Sequence, residues 1–275
     1  MIDCHQHFWR YDAGEYAWID DSMSALKRDF LPPDALDEME RTGVTASIAV
    51  QARQSLDETR WLLDLADRHP FIRGVVGWID LQAGDVEGQL TEFSGRPALV
   101  GIRHIVQAEP DGFLALPAFR AGVAQLEPTG LVYDILVYAR QLPDAVAFAR
   151  ALPRQRFVLD HLGKPDVRSD GFRQWRRHFD ELASLPNVFC KLSGLVTEAD
   201  WRSWTPGQLR PYIDAALESF GPSRLMIGTD WPVCTVAASY WTVVALVAEA
   251  IDEYSEAERQ QILEGTARKV YEARL

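Results

Sequence analysis

The sequence predicts a single-domain (β/α)8 barrel. Three observations carry this. Eight short β-rich runs recur along the 275 residues, and helical signals separate them. Several runs (SIAVQ, RGVVGWI, RFVLD) are nearly continuous apolar stretches, as strands buried on both faces of a parallel sheet should be. The length suits such a barrel, which takes about 250 residues as one unit, and no linker, low-complexity run or internal repeat divides it. A doubly wound sheet would show a Gly-rich turn after its first strand. Here that strand ends His-Gln-His-Phe-Trp.

The elements follow in order. The first strand covers 2–7, and the long aromatic segment 8–32 reads as a loop folded over the barrel mouth. A helix over 33–42 closes at Gly43, a glycine placed to end it. After the strand 46–52, Ser55 and Glu58 form a capping box opening a helix that ends near Pro70. Strands 74–80 and 99–106 come next, then helix 117–127, strand 132–138, helix 142–151, strand 157–161, helix 171–185 and strand 188–194. Thr205 with Pro206 marks an N-cap and a first-turn proline, and that helix ends at Gly221. Strand 225–231, helix 237–252 and a second capping box, Ser255 with Glu258, complete the series.

Composition narrows the class of function. With 47% hydrophobic and 25% charged residues, the chain is ordinary globular protein. Its net charge of −12 argues against nucleic acid and against an anionic membrane surface, which both need a basic face. Cys4, Cys190 and Cys234 are sparse and form no CxxC, which fits a reduced cytoplasm rather than a disulfide framework. The N-terminus lacks the basic and apolar regions of a signal peptide. The longest apolar stretch, 242–248, is far short of the ~20 residues of a membrane span. A cytoplasmic protein acting on a small molecule is the expectation.

In such a barrel the chemistry sits at the C-terminal ends of the strands, and polar residues collect there. His5 and His7 end the first strand, where a period of two puts both on one face. Gln51 and Arg53 end the second, Trp78 and Asp80 the third, Arg103 and His104 the fourth. Asp134 and Tyr138 lie on the fifth, Asp160 and His161 end the sixth, Lys191 and Ser193 the seventh, and Asp230 and Trp231 the eighth. Four of the six histidines fall at these ends, whereas His69 and His178 lie in helical segments facing solvent. Only four of the 28 basic Lys and Arg residues are Lys, and two of those, Lys164 and Lys191, sit beside these clusters. A compact ammonium does not replace a guanidinium, so both lysines point to the rim. No G-x-S-x-G, P-loop, HExxH or GxGxxG occurs, which removes support for serine hydrolysis and phosphoryl transfer. The cysteines read as small buried groups.

From MIDCHQHFW through SIAVQAR, VGWIDL, GIRHIVQ, YDILV, VLDHLGKP and CKLSGLVTEADW to GTDWPVC, the chain resembles the amidohydrolase superfamily, in its amidohydrolase 2 lactonase branch. The resemblance covers nearly the whole length. It is strongest to sugar-acid lactonases of the L-fuconolactonase type, with L-rhamnono- and galactono-lactonases as near relatives. It implies that His5, His7, His161 and Asp230 surround a reacting water. No carboxylated-Lys or Glu candidate ends strand four, and strand five offers Tyr133 and Asp134 instead of His. Both departures speak against two metals. The resemblance therefore implies at most one divalent ion, zinc by its preference for imidazole and carboxylate, held by His5, His7, His161 and Asp230. A metal-free mechanism is the alternative.

Opening a lactone needs a base for water, polarisation of the carbonyl and stabilisation of the oxyanion. Asp230 is the expected base, with His161 and His104 as further catalytic candidates. Gln51, Arg53, Trp78, Arg103, Lys164 and Trp231 are the expected substrate contacts, and Trp9 offers a further flat face. Competing readings are a metal-dependent decarboxylase or amide hydrolase on the same barrel, and a non-catalytic carbohydrate-binding barrel.

Overall fold

The computed structural model describes residues 1–169 and 171–271. Eight parallel strands run in sequence order around one sheet: β1 (Ile2–Gln6), β2 (Ala46–Val50), β3 (Ile72–Gly77), β4 (Leu99–His104), β5 (Val132–Ile135), β6 (Phe157–Leu159), β7 (Val188–Leu192) and β8 (Leu225–Ile227). The ring closes between β8 and β1 through a parallel bridge of Gln6 with Trp231. There His7 N–H donates to the Trp231 carbonyl (2.7 Å) and Asp230 N–H to that of His5 (2.8 Å).

Helices follow each strand: α1 (Pro32–Glu40), α2 (Leu56–Arg68), α3 (Val86–Phe93), α4 (Pro117–Ala124), α5 (Leu142–Ala151), α6 (Phe172–Ala183), α7 (Leu195–Glu198), α8 (Pro206–Phe220) and α9 (Tyr240–Ala250). The sequence reading lacks α3. Its eight residues carry Gly88 and two buried side chains, Val86 and Phe93, too few to set a helical period. The expected C-terminal helix breaks into α10 (Glu256–Gln260), a π turn and α11 (Thr266–Tyr271). Its capping box forms as expected: Ser255 and Glu258 exchange hydrogen bonds of 3.0 and 3.3 Å. A compact inner core, including Cys4, Val50, Val76, Val132, Val158 and Met226, fills the barrel, and Val270 and Tyr271 of α11 pack against it. A larger apolar layer lies between strands and helices.

Every strand ends one to four residues earlier than expected, and after β6 and β8 the chain turns sharply. His161 (φ 54°), Leu162 (φ 53°), Gly163 (φ 69°) and Lys164 (φ 46°) form a left-handed turn, and Asp230 (φ 60°) adopts the same region. Non-glycine residues there are strained. The turn is anchored by Trp175 Nε1, which donates to the Leu162 carbonyl (2.7 Å). Asp3 plays a similar part at the barrel seam. Its carboxylate accepts from His5 N (3.1 Å), Thr229 N (2.8 Å), Thr229 Oγ1 (2.5 Å), Gln6 Nε2 (3.0 Å) and Tyr240 OH (2.9 Å).

The segment 8–32 is itself packed. Trp9 and Phe30 pair as a short antiparallel bridge, and Phe8, Trp9, Tyr16, Ile19, Leu26 and Phe30 are buried. Glu58 ties it to the barrel. Ser55 caps α2 through Asp57 N–H, but Glu58 does not complete the expected box. It turns inward and accepts from Ala52 N (3.0 Å), Arg53 N (2.9 Å) and Tyr16 OH (3.2 Å). Burial pushes its carboxyl up to about 7, against the pull of the Arg53 and Ala52 N–H groups. A carboxyl whose folded value lies above its unfolded one stabilises fully below about pH 4.5, and that contribution is lost as pH rises through 7. This group alone should therefore lower the unfolding temperature as pH rises from about 4.5 to 7, by the equivalent of at most roughly 3 kcal/mol. Glu58→Gln, which keeps the neutral bonding pattern, should flatten that fall; an unchanged slope in the variant excludes Glu58 as its source.

Candidate active site

A cavity of about 880 Å³ opens at the C-terminal ends of the strands, within the range of small-molecule sites. Its floor includes His7, Arg103, His161 and Asp230; Glu15, Trp18 and Met23 of the segment 8–32 contribute to its wall. At the floor three imidazoles converge on one oxygen. Asp230 Oδ1 lies 3.3 Å from His7 Nε2, 3.7 Å from His5 Nε2 and 3.8 Å from His161 Nε2. The Nε2 atoms of His5 and His7 are 3.2 Å apart.

The far side of each ring is held. His7 Nδ1 donates to the Val50 carbonyl (2.8 Å); a carbonyl only accepts, so Nδ1 carries a proton, and Nε2 faces Asp230. His161 Nδ1 bonds Ser193 Oγ (2.9 Å), and His5 Nδ1 lies 3.3 Å from Asp160 Oδ1. Burial keeps His5 well below the usual imidazole value and pushes His161 down to about 4, despite Asp230 beside it. Both rings are thus neutral near pH 7. Burial alone would raise Asp230, but His161, the His7 hydrogen bond and His5 outweigh it and hold the carboxyl below the usual range. No partner for Asp230 Oδ2 occurs among the described residues.

Beneath the floor lies a closed set of charges. Lys191, expected at the rim, is fully buried, with Nζ 2.5 Å from Asp134 Oδ2 and 2.9 Å from Asp160 Oδ1. Arg103 NH1 donates to Asp160 Oδ2 (2.9 Å) and lies 3.2 Å from His5 Nε2, while NH2 donates to the Gln51 carbonyl. Burial would raise Asp160, but Lys191, His5 and Arg103 hold it well below the carboxylate range. Tyr271 OH sits 3.2 Å from both Asp134 oxygens. Lys191 left the rim because two buried carboxylates need cations beside them.

The donor set suits a cation. One ligand atom each from His5, His161 and Asp230 lies within 4.8 Å of the others. Tetrahedral zinc with bonds near ~2.05 Å spaces its ligands about 3.3 Å apart, close to the separations of His5, His7 and Asp230.

The structure brings His5, His7, Arg103, His161 and Asp230 together at the floor, with Arg53 and Lys164 on the wall. Other expected contacts stand behind it. His104 stacks on Phe113 (4.9 Å) and pairs with Glu109 (2.9 Å). Trp78 Nε1 donates to His104 Nδ1 (3.3 Å). Gln51 is buried, its Nε2 donating to the Arg103 carbonyl (3.2 Å). Trp231 packs edge-on against Phe8 and Phe30, and Trp9 is fully buried. The aromatic faces that do line the cavity are Trp18, Tyr138 and Trp201, and Glu15 and Glu198 join them. Sequence reasoning missed Trp18, Trp201 and both glutamates because they lie in loops and in the short helix α7, away from the predicted strand ends.

A barrel with an imidazole–carboxylate cluster at its C-terminal strand ends defines an enzyme scaffold built to activate water. A family model described as Amidohydrolase matches residues 2–273, and the chain belongs to that family. It is 46% identical to the L-fucono-1,5-lactonase of Burkholderia multivorans, over 98% of this chain and 95% of that one. It is 39% identical to the L-fucono-1,5-lactonase of Burkholderia ambifaria, over 87% and 82%. A solved amidohydrolase structure from Burkholderia multivorans with bound zinc superposes with a TM-score of 0.95, at 47% identity over 98% of both chains. Among the described residues no helix is long and apolar enough to cross a membrane.

Proposed function

We propose that this enzyme hydrolyses a sugar-acid lactone, such as L-fucono-1,5-lactone or a related L-rhamnono- or galactono-lactone, to the open acid. The observation that carries the reading is the convergence of three imidazoles on Asp230 at the floor of a polar cavity. The two fuconolactonase relatives support the substrate class.

In this reading the carbonyl of the lactone lies over the floor. Asp230 takes a proton from water as its oxygen adds to the carbonyl carbon. The ring C–O bond then breaks, and Asp230 returns the proton to the departing ring oxygen, so water is added across one bond. The Arg103 guanidinium, fixed between Asp160 and the Gln51 carbonyl, is placed to stabilise the oxyanion. His7 and His161 flank Asp230 Oδ1 at 3.3 and 3.8 Å and hold the carboxylate in place at the floor. His5, His7, His161 and Asp230 would hold one divalent ion, zinc by ligand preference; bound there it supplies Lewis-acid polarisation of the carbonyl. We place the enzyme in the cytoplasm, a reading supported by its three unpaired cysteines.

A proton-release screen over aldonolactones, run with as-purified, chelated and zinc-reloaded protein, tests both points. Expected are turnover of a sugar lactone and one divalent ion per chain by metal analysis. Full activity in metal-free protein decides for the metal-free route. Carbon dioxide release from an aromatic acid, without lactone turnover, replaces the reading by a decarboxylase.

A further inference from the structure

The left-handed turn after β6 does more than place His161. In a tight turn of about three residues, side chains three apart share one side, and Lys164 stands three after His161. The Lys164 N–H closes the turn on the His161 carbonyl (2.8 Å), and both side chains line the cavity. Opposite, Gly194 (φ 65°) ends the β7 segment under the His161 ring and starts α7, whose last residue is Glu198. Thr197 Oγ1 donates back to the Gly194 carbonyl (2.7 Å), and Trp201 Nε1 donates to that of Thr197 (2.8 Å). Lys164 and Glu198 are therefore each fixed within a few residues of the catalytic floor.

They meet as an ion pair, Nζ to Oε1 at 3.1 Å, with side chains 15% and 16% exposed. That exposure is toward the cavity, which both residues line. An ammonium has three donors, of which Glu198 uses one. No other hydrogen-bond partner of Lys164 Nζ, and none of Glu198 Oε2, occurs among the described residues. The Tyr138 ring, another lining group, lies 5.3 Å from Lys164 Nζ. A surface ion pair contributes little to stability, but a fixed pair with unused valences beside a reactive centre presents a donor and an acceptor side by side.

Neighbouring hydroxyls of a sugar ring need that combination, since each both donates and accepts. We propose that Lys164 and Glu198 form a hydroxyl-reading subsite for a polyhydroxylated lactone ring: one ring hydroxyl accepts from Lys164 Nζ, and its neighbour donates to Glu198 Oε2. The inference rests on the lactone reading of the site and adds which residues select its substrate.

The test compares kcat/KM for a sugar 1,5-lactone and for analogues each lacking one hydroxyl, in wild type, Glu198→Gln and Lys164→Met. A site that hydrogen-bonds a hydroxyl discriminates strongly against the analogue without it. In wild type, two adjacent hydroxyls should each show a penalty of at least about 10²-fold on removal. Glu198→Gln should shrink one penalty to below about 10-fold, and Lys164→Met the other. If the pair is only a strut, each variant loses the same factor on every lactone and the penalties stay as in wild type, which overturns the subsite. Lys164→Arg, which keeps the charge, should still change the hydroxyl penalty, because a planar fork does not replace a compact ammonium; an unaltered penalty there also counts against it. Wild-type turnover of no lactone at all overturns the functional reading itself.

Discussion

Asp230→Asn lowers kcat on the sugar lactone by roughly 10²–10⁴-fold while the barrel stays folded. The substitution is nearly isosteric, and Asn tolerates the left-handed region better than other non-glycine residues, so the φ of 60° survives the change. The backbone bond from residue 230 N–H to the His5 carbonyl (2.8 Å) is untouched. What disappears is the proposed base. The amide cannot accept the proton of water, and it presents a dipole to three imidazoles where a carboxylate stood. The unfolding temperature should move by only a few degrees, and turnover by proton release should fall within the stated range. Near wild-type kcat would remove Asp230 from its role, whatever happens to metal content.

Gly194→Ala loses on the order of 10²-fold in kcat/KM through position alone, since a displacement of about 1 Å at a catalytic group has that effect. A Cβ at residue 194 would stand 2.5 Å from His161 Nδ1 and 2.6 Å from its Cγ. The ring must move, and its bond to Ser193 Oγ and its approach to Asp230 go with it. The positive φ of 65° adds backbone strain of about 1 kcal/mol for any L side chain. Gly130→Ala separates the two effects. Gly130 has φ 74° and ψ 5° against 65° and 3° at Gly194, yet a Cβ there meets nothing within 4 Å. It should lose the same small stability and keep its activity. Equal activity in both variants would show that the His161 contact is unimportant.

The barrel was legible because it is written in local patterns. Each of the eight expected runs overlaps a strand, and their order around the sheet is chain order, since short right-handed β-α-β connections leave little choice. His5 and His7 were legible for the same reason: a period of two holds along β1 far enough for both rings to reach Asp230. The ends of β6 and β8 were not. DHLGKP and GTDWP read as strand ends with polar tips, but His161, Lys164 and Asp230 sit on left-handed backbone, which no alternation of apolar and polar residues announces. That backbone is held by distant groups, among them Trp175 Nε1 on the Leu162 carbonyl and Gly194 beneath the His161 ring.

The same division explains the aromatic and basic residues. Nine tryptophans carry equal chemistry in the sequence. Trp18 and Trp201 face the cavity, whereas Trp9 and Trp231 pack into the interior and Trp78 backs His104, because which ring finds an apolar partner depends on segments far apart in the chain. Lys164 and Lys191 look alike beside their motifs. One meets Glu198 at the cavity wall; the other is drawn beneath the floor by Asp134 and Asp160.

By itself, the sequence determined the (β/α)8 architecture, the rim at which chemistry collects, and the shared face of His5 and His7. Those follow from periodicity and strand order, which are properties of neighbours in the chain. Only the tertiary structure decided which side chains face the cavity, which charges neutralise one another beneath it, and that Lys164 and Glu198 meet. Those depend on contacts between residues distant in sequence, where burial and pairing set the outcome.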